Sequence, residues 1–202
     1  MYEELGQLIK YIGHYYELFN RAWESDSRYV KVNLKKNTIK DIQCNSAIYK
    51  IIVSYRNFLS SSTFDFEPDM EMPDSISIIN SRTKAYNSMI YKIQKNINNS
   101  LCGNVPINKI LNDLFGIRII LSEDFTYEQI KKYIDYNFPN LKCIDSSKNG
   151  YNGTHIYFKK DNYSFEWELQ VWSEQWAQAN IALHKLYKQD YLAWEKQSKG
   201  GV

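Results

Sequence analysis

Cysteine, proline, glycine and histidine are all scarce in this chain of 202 residues, and each scarcity removes a class of protein. The three cysteines, Cys44, Cys102 and Cys143, are an odd number set far apart, with no C-x-x-C pair. A disulfide framework, a zinc knuckle and a thioredoxin-type site are therefore excluded. The three histidines, His14, His155 and His184, show no H-x-x-x-H spacing. Eight glycines and four prolines rule out a collagen-like or low-complexity chain. An excess of one charge is also missing: 25 basic against 23 acidic residues leave a net +2. That balance excludes a polybasic nucleic-acid coat, although a local basic patch remains open. No apolar run approaches the roughly 20 residues of a membrane helix. Met1-Tyr2-Glu3-Glu4 has no basic stretch leading into an apolar one, as a secretory signal would. The expectation is a soluble cytoplasmic protein that touches no membrane.

What the chain has is aromatic surface: 15%, with 17 Tyr and 5 Trp. Such rings serve base stacking and core packing equally well. Along the chain, Leu5, Leu8, Ile9, Ile12, Tyr15, Tyr16, Phe19 and Trp23 recur at helical spacing. Residues 28–40 contain Arg28, Lys31, Lys35, Lys36 and Lys40 without an acid, and their alternation predicts a short strand or extended segment. A second helix is expected over 46–60, then a loop rich in acids (Asp65, Glu67, Asp69, Glu71, Asp74) that lacks the order of an EF-hand. A helix over about 82–98, capped by Asn80 or Ser81, is followed by a helical turn after Pro106 and an apolar strand over 114–121. Next come a helix over about 126–136, strands near 140–145, 151–159 and 164–172, and a long helix over 173–195. The fold class is α+β: a mixed sheet flanked by helices, with an N-terminal helical segment. The expected layout is a single domain, with N-terminal helices over about 1–62 and a catalytic core over about 80–195.

Four segments carry polar groups that a core has no use for. Lys84, Ser88 and Lys92 fall four residues apart, one face of the expected helix, with Arg82 near its positive end. This suits a polyphosphate, and a solvated basic face is the alternative. Asp113 stands at the mouth of an apolar strand where a metal can bind, and Arg118 leaves that strand toward an anion, either a phosphate or Asp113 or Glu168. Tyr151, His155 and Tyr157 share one face of an extended segment, with Gly153 leaving room for a flat ligand. Glu168 and Gln170, two apart, project from the open face of a strand whose other face is Phe165, Trp167, Leu169 and Val171. A carboxylate and an amide so placed suit general-base work and metal binding.

Together, and in this order, the segments resemble the synthetase domain of the RelA/SpoT superfamily. R-x-K-x-x-x-S-x-x-x-K is met by Arg82, Lys84, Ser88 and Lys92, and D-L-x-G-x-R by Asp113, Leu114, Gly116 and Arg118. G-Y-x-G-x-H is met by Gly150, Tyr151, Gly153 and His155, E-x-Q by Glu168 and Gln170, and a later H-x-x-Y-K by His184, Tyr187 and Lys188. The resemblance implies a nucleotidyltransferase-like fold and transfer of ATP's β,γ-pyrophosphate to a ribose 3′-hydroxyl. It further implies ATP phosphates on Arg82, Lys84, Ser88, Lys92 and Arg118, and Mg²⁺ on Asp113 and Glu168. Glu168 would also help deprotonate the hydroxyl, with Tyr151, His155 and Gln170 around the acceptor.

Two departures bear on the acceptor: Asn152 and Trp172 stand where many relatives carry arginine. Both remove positive charge that a free nucleotide's 5′-phosphates would use. The favoured acceptor is therefore the 3′-CCA end of tRNA, as in the toxic small alarmone synthetases of toxin–antitoxin systems. The basic run from Arg28 to Lys40, with Lys35 and Lys36, and the pair Lys159 and Lys160 would then follow the RNA backbone, and a small antitoxin protein would be a partner. The alternative acceptors are GDP, GTP or adenine nucleotides, giving (p)ppGpp or a related alarmone. A catalytically silent nucleotide-binding module is the reading from another class.

Overall fold

The computed structural model describes residues 1–61, 75–99 and 101–199. The acid-rich stretch from Asp65 to Asp74 lies outside them, as do the side chains of Tyr187 and Lys188. Three helices open the chain: α1 (Tyr2–Glu24), α2 (Ile39–Cys44) and α3 (Ser46–Ser61). In α1 the stripe from Leu5 to Trp23 is buried, while Glu3 and Glu4 sit favourably at its positive end. Thr38 closes a reciprocal capping box with Asp41 that starts α2.

The remaining elements are β1 (Ile76–Thr83), α4 (Tyr86–Ile97), α5 (Ile107–Ile110), β2 (Phe115–Leu121), α6 (Tyr127–Asn137), β3 (Lys142–Asp145), β4 (Thr154–Phe158), β5 (Trp167–Ser173) and α7 (Glu174–Lys199). The five strands form one mixed sheet in the order β1-β2-β5-β4-β3. Only β2 and β5 run parallel, aligning Gly116 with Glu168 and Arg118 with Gln170. The other three pairings are antiparallel. The α+β class with an N-terminal helical segment is as expected.

One local expectation needs correction, and one alternative is decided. The helix expected from 82 begins at 86, because Arg82 and Thr83 instead continue β1 opposite Gly116 and Phe115. The alternation at Val30 and Val32 produces no strand. That segment runs extended, anchored where the Leu34 N–H donates to the Asn162 carbonyl, and turns at Asn33 into α2.

The main core lies between the sheet and α1 and α3. Trp167, fully buried on β5, packs against Phe115, Phe19 and Tyr16, and Tyr55 stacks on Phe165 at 4.3 Å. These rings fill one side of the central strands, which leaves the opposite side of β5 to the polar residues between them. Within this apolar layer Trp167 Nε1 donates to the Tyr55 hydroxyl at 3.0 Å. Tyr55→Phe should leave that indole N–H unpaired and lower stability by about 1–3 kcal/mol. Chemical denaturation of the two proteins checks this, and equal midpoints would contradict it.

Candidate active site

The polar side of β5 is not an open face: every residue from Trp167 to Ser173 is buried. The helix α7 contacts β2 and β5, and α4 contacts α7, so the sheet is roofed at its centre. Glu168 and Gln170 are each 7% exposed, at the floor of a cavity of about 470 Å³.

Burial forces each polar group to find a partner. Glu168 Oε1 accepts from the Tyr157 hydroxyl at 3.0 Å and lies 2.9 Å from His155 Nδ1, while Oε2 accepts from Gln170 Nε2 at 2.7 Å. Burial pushes this carboxyl up, but the hydrogen bond and charge of His155 outweigh it, so the group is held below the usual range. The second carboxylate, Asp113, accepts from Lys84 Nζ at 2.7 Å and Lys92 Nζ at 3.0 Å. Its burial is outweighed in the same way by the Lys92 and Lys84 ammoniums, which hold it at about 2. Two ionised carboxylates therefore face one cavity.

The Tyr151 side of the cavity is built by a turn and two rings. Asn149 and Gly150 adopt left-handed backbone, with φ of 50° and 86°, and close a tight turn between Lys148 and Tyr151. The Tyr151 hydroxyl lies 2.7 Å from His155 Nε2 and accepts from Trp172 Nε1 at 2.8 Å. Burial raises this phenol to about 12. The space beside Gly153 belongs to this network, since a Cβ there would stand 2.7 Å from the Tyr151 hydroxyl and 3.0 Å from Trp172. The room expected there for a flat ligand is filled from within.

Arg118 also differs from its expected pairing. Its guanidinium donates twice to Gln170 Oε1, at 3.1 and 2.9 Å, and lies 3.9 Å over the Trp172 ring. Neither Asp113 nor Glu168 is its direct partner. His184 of α7 stacks on Trp172 at 5.5 Å and takes the Arg118 Nη2 contact at 3.2 Å. Burial, with Arg118 and Arg82 nearby, pulls the His184 imidazole down to about 4.

Asp113, Lys92, Tyr151, His155, Glu168 and Gln170 thus line one cavity. Lys84 and Arg118 stand one hydrogen bond behind it. Arg82 on β1 and Ser88 on α4 do not line it, and Lys84 precedes the helix, so the expected helical stripe is divided between two elements. Lys35 and Lys36 are exposed at a turn and do not line the cavity. Sequence reasoning missed Asn180, fully buried on α7. It accepts from the Asn152 N–H at 3.0 Å and donates to the Asn152 carbonyl at 2.6 Å, clamping the Tyr151 turn. Its polarity inside an amphipathic helix was the available signal.

Among the described residues no group of three or more His, Cys, Asp or Glu gathers as a metal cage. Two carboxylates on a shared cavity nevertheless fit Mg²⁺, which takes one or two carboxylates and completes its shell with water and phosphate oxygens. No described helix is long and apolar enough to cross a membrane.

Residues 81–191, more than half of the chain, match the region found in RelA / SpoT proteins, and the chain belongs to that family. No curated protein matches it. Solved structures to which it is similar include small alarmone synthetase 1 from Bacillus subtilis, at 19% identity over 62% of this chain and 73% of that one, TM-score 0.35. The same synthetase bound to its product pppGpp gives 17% identity, 80% and 86% coverage and a TM-score of 0.38. A GTP pyrophosphokinase family protein from Streptococcus pneumoniae gives 15%, 75% and 73%, and 0.37.

The depressed His184 has a measurable consequence. Its folded value of about 4 lies below the ordinary 6.5, so between these values the unfolded chain takes up a proton that the folded one refuses. Stability should therefore fall as pH drops from 6.5 toward 4, and His184→Gln should flatten that window. Urea midpoints across the range check it. A His184 imidazole signal titrating near 6.5 in the folded protein would contradict it.

Proposed function

We propose that the protein is an ATP-dependent pyrophosphokinase whose acceptor is a ribose 3′-hydroxyl, most specifically that of the 3′-CCA end of tRNA. The observation that carries this is the facing of Asp113 and Glu168 across one cavity, with ammoniums on one flank and Tyr151 with His155 on the other. Pyrophosphoryl transfer needs charge neutralisation and alignment more than covalent catalysis, and the site supplies both.

In this reading, the donor triphosphate draws Lys84 and Lys92 from Asp113, replacing one anion with another. Arg82, Ser88 and Arg118 complete the phosphate contacts. Asp113 and Glu168 would hold Mg²⁺, whose charge neutralises the phosphate oxygens. Tyr151 offers its ring to the acceptor base, with His155 and Gln170 beside it. The 3′-oxygen forms a bond to the β-phosphorus as the bond from that phosphorus to the α,β-bridging oxygen breaks, and AMP departs. Glu168, ionised in the ground state, receives the hydroxyl proton.

The tRNA acceptor is favoured by what surrounds Trp172. A ring between Arg118 and His184 occupies a position where many relatives carry arginine, so position 172 itself brings no charge to free 5′-phosphates. The whole chain acts as one synthetase unit in the cytoplasm. As a translation-blocking toxin it would be neutralised by a small partner protein.

Incubation with ATP labelled in the γ-phosphate, alongside total tRNA, GDP and GTP, tests the acceptor. Label on tRNA 3′ ends is expected, and label on GDP or GTP alone would replace this reading with alarmone synthesis. Glu168→Gln should cost about 10²-fold or more in rate with the fold intact, and a loss below tenfold would remove Glu168 from its role. Reversing Lys35 and Lys36 to glutamate should suppress tRNA labelling while ATP binding survives, and full labelling by that variant would put the RNA on another surface.

A further inference from the structure

Beyond Tyr157 the sheet carries a second cavity, of about 500 Å³, lined by Lys109, Lys142, Lys159, Asn108 and Glu166 among others. Asn112 and Tyr157 line both cavities, so the two adjoin. The pleat explains why. Tyr157 pairs with Glu168 on one side and Lys142 on the other, and Lys159 and Glu166 follow two residues further along the same face. Lys159 Nζ lies 3.5 Å from Glu166, and the Lys142 ammonium lies 5.7 Å over the Tyr157 ring.

Three ammoniums thus face one carboxylate, which is more positive charge than the cavity itself neutralises. Asn108 donates to Glu166 at 3.4 Å, and its Oδ1 is buried without a partner. Such a concave and cationic surface suits a phosphate anion. Its position selects which anion. The proposed donor groups Arg82, Lys84 and Lys92 lie on the β1 and α4 side of Glu168, whereas Tyr151 and His155 lie on the β4 side. Lys142, Ile144, Tyr157 and Lys159 carry the second cavity along β3 and β4, and Asn108, Lys109 and Asn112 close it from α5 and the segment leading to Asp113.

We infer that this cavity binds the phosphate on the 5′ side of the acceptor nucleoside, which in an RNA acceptor is the phosphodiester to the preceding nucleotide. The inference rests on the proposed pyrophosphokinase activity. A nucleoside with its base at Tyr151 and its ribose at Glu168 extends along β4 and delivers its 5′-phosphate to Lys142, Lys159 and Lys109. In this arrangement the cations missing around Trp172 are supplied from a different wall.

The test uses Lys109→Ala/Lys142→Ala in the full chain, since neither lysine forms an ion pair among the described residues. Acceptors are an RNA trinucleotide with a free 3′-hydroxyl, GDP, and the nucleosides adenosine and guanosine. The double variant should raise KM for the RNA about tenfold or more, leaving KM for ATP and for adenosine unchanged. The salt dependence of RNA use should become shallower, by about 0.7 in log–log slope for each phosphate that the variant leaves unneutralised. Lys109→Arg/Lys142→Arg should restore RNA use. An unchanged KM for RNA, or an equal rise for adenosine, would overturn the inference. If the wild-type protein labels only free nucleotides, the tRNA reading fails by itself. The cavity is then judged on GDP against guanosine: a KM rise confined to GDP supports it, and no rise overturns it.

Discussion

A carboxylate buried in a sheet must be neutralised where it stands, and the cleft is organised around two of them. Glu168 sits at the centre of β5, where the apolar packing of Trp167, Leu169 and Val171 on the other side fixes which way it points. Its oxygens account for the orientations of His155, Tyr157 and Gln170, and through Gln170 for Arg118. Asp113, one residue before Leu114 at the entry to β2, does the same for Lys84 and Lys92. A buried ion pair adds little net stability, but removing one partner leaves an uncompensated charge at a cost of about 3–5 kcal/mol. Such clusters hold geometry more than they add strength. In the proposed mechanism that is their use: the groups are set before the phosphates arrive, and the phosphates exchange with Asp113 as the anion.

The aromatic residues divide into two populations along the same boundary. Tyr16, Phe19, Tyr55, Phe165 and Trp167 pack the apolar layer beneath the sheet. Tyr151, Tyr157 and Trp172 use their polar edges above it, each bonded to a neighbour. The stack of Arg118, Trp172 and His184 joins β2, β5 and α7 into one wall, and Asn180 ties the Tyr151 turn to the same helix. The roof of the cavity and its Tyr151 flank are thereby joined, positioned largely by α7.

Most of the helices and four of the five strands were legible from hydrophobic period, and the two cavity carboxylates from their position beside apolar strands. What escaped has physical causes. Residues 82 and 83 sit between a helical pattern and a sheet edge, and pairing with β2 drew them into a strand that local propensity did not announce. Alternation along β5 correctly separated its two faces, but alternation cannot reveal that a distant helix covers the polar one. Arg118 was expected to need an anion, whereas an amide oxygen, an aromatic face and a neutral imidazole share that task. Asn180 lies 28 residues from its partner Asn152, a separation over which no local pattern speaks.

The central claim is that ATP loses two phosphates as one unit at this site. The nucleotide product of ATP turnover, resolved chromatographically in the presence of acceptor, tests it most directly. The account predicts AMP, formed in equal amount to the pyrophosphorylated acceptor. ADP as the product, or AMP released together with free pyrophosphate while no acceptor is modified, would contradict it.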